Sequence, residues 1–376
     1  MDIRHFFATT AKGIEMVLAR ELERLGFDDI FVEKGGVRFA GDLAACYRAN
    51  LWLRTAQRIL VSLAEFGCVS PQQLYDGVRS VYWRRYLNPD MTLAVDCNVR
   101  DSSITHSGFA ALKTKDAIVD SIREHFGRRP NVNAKDPDLR VNVHIARNHC
   151  SISLDSSGSS LDKRGYRIDA EDAPIRETLA AALIELTEWD GSVPLMDPMC
   201  GSGTIPIEAA LKGANLAPGL RRVNYGFQRW PSFDGTVWKN LVKEAENQVF
   251  AEIPCPISGF DVSSRAIEKA RKNANRAGVG KFLTFMKQDI LQIKPPSEQS
   301  IIIFNPPYGV RLGEQEPLKI LYKGIGDALK RYCTGSTAYV FCGNPELAKW
   351  IGLKASRRTL LFNGPIECRL LKYELH

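Results

Sequence analysis

The sequence has no apolar run near the roughly 20 residues that a bilayer-spanning helix needs, no Cys-x-x-Cys pair among its nine cysteines and no His-Glu-x-x-His among its six histidines. Nor does the amino terminus carry the apolar stretch of a secretory leader. These absences argue against a membrane partner, so the chain is expected to be soluble and cytoplasmic. An odd, scattered set of thiols reads as reduced cysteines rather than a disulfide framework or zinc site. His144, His149 and Cys150 lie close in sequence but lack a fourth ligand, so no metal is expected. Internal repeats and low-complexity tracts are absent as well, and nothing implies an obligate protein partner.

What is present fits a globular chain of more than one domain: 376 residues, 44% hydrophobic and 25% charged. The net charge of +7 leans towards an anionic partner, although a surface made basic for solubility would look the same. The excess is uneven: residues 1–172 carry 24 Lys and Arg against 23 Asp and Glu, and residues 173–376 carry 26 against 20. Four basic clusters are candidate phosphate contacts: Arg79/Arg84/Arg85, Arg123/Arg128/Arg129, Lys163/Arg164/Arg167 and Arg357/Arg358. The third is favoured because it lies between domains.

Short strands and helices alternate through residues 1–55, with a helix around Gly13–Leu25 and a second placing Leu43, Cys46 and Tyr47 on one face. Leu93, Val95, Cys97 and Val99 alternate as in a half-buried strand. A helix over 109–126 is expected to bury Leu112, Ile118, Val119, Ile122 and Phe126, and 141–154 reads as a hairpin turning at Arg147–His149. This is an α+β pattern. The Ser- and Gly-rich run 155–167 then reads as a flexible boundary. Strands and helices alternate afterwards, the signature of a parallel, doubly wound α/β sheet, and Asn363-Gly364 between apolar runs predicts an antiparallel hairpin at its end.

Residues 192–211, SVPLMDPMCGSGTIPIEAAL, read as strand, glycine loop and helix. Asp197 ends the strand, Met199, Cys200, Gly201 and Gly203 form the loop, and Thr204 is the expected N-cap. A dinucleotide fingerprint needs a third glycine where Pro206 stands, which argues against an NAD-dependent oxidoreductase, and no Lys-Ser/Thr pair makes it a P-loop. A leading carboxylate suits a cationic cofactor without phosphates, which describes S-adenosylmethionine. Asp261, followed by Val262, ends a later strand where ribose hydroxyls would lie. Asp289, followed by Ile290, ends another near the adenine. Between loop and Asp261, residues 213–250 insert an aromatic-rich stretch with Tyr225, Phe227, Trp230, Phe233 and Trp238.

IIIFNPPYGVRLG (301–313) is an apolar strand running into Asn305, Pro306, Pro307 and Tyr308. An exocyclic amine is a poor nucleophile because its lone pair is delocalised into the ring. The Asn305 side-chain oxygen and the Pro306 carbonyl would accept its two N–H groups and turn the lone pair towards a methyl donor. The prolines hold those acceptors in place, Asn305 also borders the cofactor, and Tyr308 offers a face for an extruded base. Adenine N6, cytosine N4, guanine N2 and a glutamine amide all present this chemistry.

DPMCGSGT (197–204) followed by NPPYG (305–309) resembles the class I methyltransferases that act on exocyclic amines. With SLDSSGSSLDKRGYR (153–167), APIRETLAAALI (173–184), PGLRRVNYGFQRWPSFD (218–234) and NGPIECRL (363–370), nearly the whole chain resembles the THUMP-domain RNA methyltransferases, and among them the bacterial 23S rRNA guanine-N2 methyltransferases. The resemblance implies a ferredoxin-like segment at 1–55, a THUMP RNA-binding domain at 56–155, a linker at 156–172 and a Rossmann-like, S-adenosylmethionine-dependent domain at 173–376. It implies that Asp197, Gly201 and Gly203 line the cofactor, Asp261 holds its ribose and Asp289 its adenine, while Asn305, Pro306 and Tyr308 grip the guanine. Some members carry a second transferase domain beyond this point, so the chain is expected to make the guanine-N2 modification alone. The competing expectations are a tRNA guanine-N2 methyltransferase, an adenine-N6 DNA methyltransferase, which leaves residues 1–160 unexplained, and a non-enzymatic RNA-binding assembly factor.

Overall fold

The structure is a computed structural model that describes residues 3–167, 175–309 and 315–376. The end of the expected linker (168–172), residues 173 and 174 of the expected transferase domain and residues 310–313 after the Asn-Pro-Pro-Tyr turn lie outside the described residues.

The first half runs β1 (Arg4–Thr9), α1 (Glu15–Arg24), β2 (Asp28–Glu33), β3 (Gly36–Gly41), α2 (Leu43–Trp52), β4 (Arg58–Gly67), α3 (Pro71–Arg79), β5 (Thr92–Arg100), α4 (Ser107–Phe126), β6 (Asn131–Val132), β7 (Leu139–Ala146) and β8 (His149–Asp155). Caps start the helices where the pattern demands: Asp42 accepts from Ala45 N, Ser70 from Gln73 N ahead of Pro71, and His106 from Phe109 N. All eight strands join one sheet in the order β2-β3-β1-β4-β8-β7-β5-β6. β4 pairs antiparallel with β1 on one side and β8 on the other, so the expected ferredoxin-like and THUMP segments share a continuous sheet. In α4 the buried residues are Ala110, Thr114, Ala117, Ile118 and Ile122. Leu112 and Phe126, expected inside, are 60% and 42% exposed. The buried stripe follows the small residues that let the helix sit close to the sheet.

The second half runs α5 (Glu177–Leu186), β9 (Leu195–Asp197), α6 (Thr204–Gly213), α7 (Gly235–Asn247), β10 (Ile257–Asp261), α8 (Ser264–Ala277), β11 (Leu283–Lys287), β12 (Ile301–Phe304), α9 (Gln315–Tyr332), β13 (Thr337–Cys342), α10 (Pro345–Lys349), β14 (Arg357–Asn363) and β15 (Ile366–Glu374). The sheet order is β11-β10-β9-β12-β13-β15-β14, all strands running one way except β15, which is antiparallel to both its neighbours and forms the C-terminal hairpin with β14 at Asn363-Gly364. It is a Rossmann-like sheet whose central strands β9, β12 and β13 are buried on both faces and so read as apolar runs, while the edge strands β11 and β14 are largely exposed. Leu195 and Ile303 face the core with α5, α6 and α8, whereas Met196, Ile302 and Phe304 face the core with α9.

The two halves interlock. Ile14 and Val17 enter the core of the second half, and the insertion's Tyr225, Phe227 and Trp230 enter the core of the first half. Phe227 stacks on Tyr47 with ring centroids 4.4 Å apart. The Ser-Gly run between the halves is not the flexible tether expected. Ser156 and Ser157 are fully buried. The Arg222 guanidinium donates to the carbonyls of Ser157 (2.9 Å), Ser159 (2.7 Å), Ser160 (2.7 Å) and Lys163 (3.4 Å). One planar donor fork thus satisfies a backbone that would otherwise need water.

Candidate active site at the strand ends

Strands buried on both faces tolerate polar side chains only where they leave the cores. β9 ends on Asp197, β10 on Asp261, β11 two residues before Asp289 and β12 one residue before Asn305. These four strands are parallel neighbours, so the four residues gather along one edge. The strand order reverses between β9 and β12, the place where open α/β sheets bind ligands.

Asp197 is 2% exposed and its Oδ1 accepts from Met199 N at 3.0 Å. Burial raises its carboxyl well above the usual range, against the Met199 N–H and with the help of neighbouring Asp261. Burial, then those two carboxylates, also lifts the Cys200 thiol. Asp261 ties the loop to its neighbouring strand: Oδ2 accepts from Gly201 N at 3.1 Å and Oδ1 from Ser263 N at 2.8 Å. A carboxylate keeps further lone pairs for hydroxyl donors. Gly203 sits at φ +86°, and a Cβ there would lie 3.0 Å from the Ala270 Cβ and 3.1 Å from the Phe285 ring. A Cβ on Gly201 would meet nothing within 4 Å, so that face of the loop is open.

Thr204 is not the N-cap. Gly203 occupies that position, and the Thr204 hydroxyl instead accepts from Arg167 Nη2 at 3.1 Å. A left-handed glycine can end the loop without a capping side chain, which leaves the hydroxyl for the linker. Asp289 accepts from Leu291 N at 2.9 Å above buried Ile290. Val262 is 59% exposed beside Asp261, and Met199 is half-buried. Three carboxylates, an open glycine and an exposed apolar side chain suit a cationic cofactor without phosphates.

At the neighbouring strand end, Asn305 Oδ1 is buried and has no hydrogen-bond partner among the described residues, a costly state for an acceptor unless a ligand satisfies it. Pro306 is buried and Pro307 exposed. The half-buried Tyr308 packs against Gly343, where a Cβ would come within 3.0 Å of its ring, and its hydroxyl accepts from Asn363 Nδ2 at 3.1 Å. Burial raises the Tyr308 phenol, with the Asn363 bond opposing.

Three residues around this edge escape a search for motifs. Asn363 was visible only as a turn residue. Asn273 is 3% exposed and donates to the Ser202 carbonyl at 3.0 Å; a lone polar residue in the apolar stripe of α8 was its signal. Arg167 has no local signal, since Thr204 is remote in sequence. Two members of its cluster, Arg164 and Arg167, are not the phosphate contacts expected. Arg164 is 3% exposed, donates to the carbonyls of Leu161 and Arg54 and lies 3.6 Å from Glu208, and Arg167 lies 3.3 Å from Glu177. Two arginines of the first cluster, by contrast, reach α4 beside Arg123 of the second, through the Arg79–Glu124 pair and Arg84–His125 at 3.1 Å.

Residues 164–372 match the family described as RMKL-like, methyltransferase domain; residues 5–60 match the RlmL ferredoxin-like domain and 69–155 the THUMP domain. The chain is 42% identical over 373 residues to slr0064 of Synechocystis sp., covering 99% of this chain and 97% of that protein. It is 44% identical over 381 residues to the ribosomal RNA large subunit methyltransferase K/L of Syntrophotalea carbinolica, covering 98% of this chain but 53% of that protein, so it spans about half of that relative's length. The crystal structure of SMU.472, complexed with SAH, superposes with a TM-score of 0.91 at 31% identity over 100% of this chain and 99% of that one. With the transferase match covering more than half its length, the chain belongs to the RMKL-like family of S-adenosylmethionine-dependent methyltransferases, carrying a ferredoxin-like and THUMP module ahead of the transferase domain.

Proposed function

We propose that the chain methylates the exocyclic N2 of a guanine in RNA, and that this RNA is 23S ribosomal RNA. The observation that carries the amine chemistry is the buried, unsatisfied Asn305 Oδ1, next to the strand ends that bear Asp197, Asp261 and Asp289. S-adenosylmethionine, when bound, supplies a methyl group on a positively charged sulfur. Asn305 and the Pro306 carbonyl accept the two N–H groups of the amine and hold its lone pair out of conjugation. Tyr308 stacks on the extruded base, and the proline pair fixes the acceptors, so rate comes from positioning rather than a strong base. The amine proton leaves to water after the new N–C bond forms.

On this reading the cofactor is held by Met199, Cys200, Gly201, Gly203 and Thr204 of the loop, Val262 and Ile290 beside the two later carboxylates, and Asn305. The domain limits at 55, 155 and 172 belong to the same proposal. RNA as substrate is supported by the THUMP match and by the name of the Syntrophotalea relative. Guanine N2 rests on the likeness of 153–167, 173–184 and 363–370 to the guanine-N2 enzymes, since the turn alone serves any conjugated amine.

The test is purified protein with methyl-labelled S-adenosylmethionine and unmodified 23S rRNA, tRNA and duplex DNA in parallel, followed by nucleoside analysis. Label in N2-methylguanosine from rRNA is expected. Label confined to tRNA moves the substrate; label confined to DNA, or none, overturns the reading.

A further inference from the structure

A cleft of about 390 Å3 lies where the RNA-binding half, the linker and the insertion meet. Lys135, Asp136 and Asp138 come from the loop before β7, Ser159, Ser160 and Lys163 from the linker, and Asn224 and Arg229 from the insertion, with Arg58 and Asp155 between them.

Its charges divide in a way that points to a ligand. Every carboxylate is already engaged. Asp155 is 2% exposed and held by Arg58 and the backbone N–H groups of Ser157 and Gly158. Asp138 accepts from Thr92 N and Oγ1, each at 2.8 Å, and Asp136 pairs with Arg229 at 2.8 Å. The linker carbonyls that would repel an anion are turned towards Arg222. The Lys135 and Lys163 ammonium groups, both on exposed residues, have no partner among the described residues. Two ammonium groups without an acidic partner among the described residues thus line one cleft whose carboxylates are engaged elsewhere, and an ammonium of this kind binds phosphate as a point charge.

We propose that this cleft holds a phosphodiester of the RNA substrate, with Lys135 and Lys163 as its charged contacts. The inference rests on the RNA methyltransferase reading and adds a place where the strand crosses from the RNA-binding half to the transferase. Both lysines are exposed, so replacing them leaves the fold intact, and neither belongs to the methyl-transfer site.

The experiment measures binding of a 23S rRNA transcript to the full chain over a salt series, for wild type and the K135A/K163A double variant. Losing two phosphate contacts should flatten the slope of log K against log salt by about 1.5. S-adenosylmethionine affinity and thermal midpoint should not change, and K135E/K163E should bind the transcript more weakly than the alanine pair. An unchanged slope in both variants overturns the proposal. Calorimetric titration with inorganic phosphate separates the sources: saturable phosphate binding lost in the double variant, with the RNA slope intact, makes this a free-phosphate site and overturns the RNA assignment. A flattened slope with no methyl transfer to any nucleic acid leaves the cleft standing and removes the methyltransferase reading instead.

Discussion

The Asn363 side-chain amide donates to the Tyr308 hydroxyl across 3.1 Å, joining the C-terminal hairpin to the strand-end turn 55 residues earlier. Asn363 is the last residue of β14, so a ring expected to stack on the substrate base is anchored by the C-terminal end of the strand at the sheet's edge. Asn363→Ala removes a bond worth about 0.5–1.5 kcal/mol, so kcat/KM on RNA should fall roughly two- to twelvefold with S-adenosylmethionine affinity unchanged. Tyr308→Phe should lose a similar factor, and the double variant no more than either alone, because both act through one bond. Additive losses in steady-state kinetics would show that the pair is not coupled.

Asn305→Ala should lower kcat by about 10²- to 10³-fold, the scale for removing one preorganised polar partner of a transition state. Calorimetry should find cofactor binding nearly intact, since Asn305 is one of several residues that hold the cofactor. The acceptor also makes the opposite stability prediction from most buried deletions: with no partner among the described residues to lose, the variant should melt no lower than wild type. Retained turnover would take Asn305 out of the chemistry.

Much of this edge was legible because apolar strands announce their ends. Asp197, Asp261 and Asn305 each follow a mostly buried run, Asp289 follows an edge strand with only Phe285 buried, and parallel neighbours must bring such ends together. What could not be read are bonds between remote positions. Thr204 looked like a cap because Ser and Thr favour helix starts, but Arg167 and a left-handed Gly203 decided otherwise. Leu112 and Phe126 fit a helical stripe by spacing and still face solvent, since the sheet accepts the smaller side of α4. The Ser-Gly run looked like a tether because its partner, Arg222, lies beyond the first transferase helices. The insertion's aromatics were visible as a cluster, but not that they would pack on Tyr47 of the other half.

Stability should depend on pH through Glu177. Burial lifts its carboxyl from the usual 4.5 to about 7, against Arg167 and Arg164 and with Glu208 adding. The native chain therefore binds this proton more tightly than the unfolded one. Its contribution is complete below about pH 4.5 and is lost as pH rises through 7, about 3 kcal/mol in all. Thermal midpoints across that window should fall less steeply with rising pH in Glu177→Gln than in wild type. Parallel curves would place the titration elsewhere.

Phe227→Ala should cost about 3–5 kcal/mol, since the ring is fully buried in the first-half core although it belongs to the transferase insertion. Urea denaturation followed by tryptophan fluorescence and far-UV circular dichroism should show both halves shifting to lower midpoint together. A shift in one signal alone would mean that the halves unfold separately.

The Arg222 clamp makes the molecule a caliper. With Ser157 to Lys163 bolted down at four carbonyls, the described part of the join leaves little slack between nucleic-acid grip and reactive corner. An RNA is then chosen by how many ångströms separate two of its features as much as by what those features are, and a substrate lengthened by a few nucleotides between them would be gripped and left unmarked.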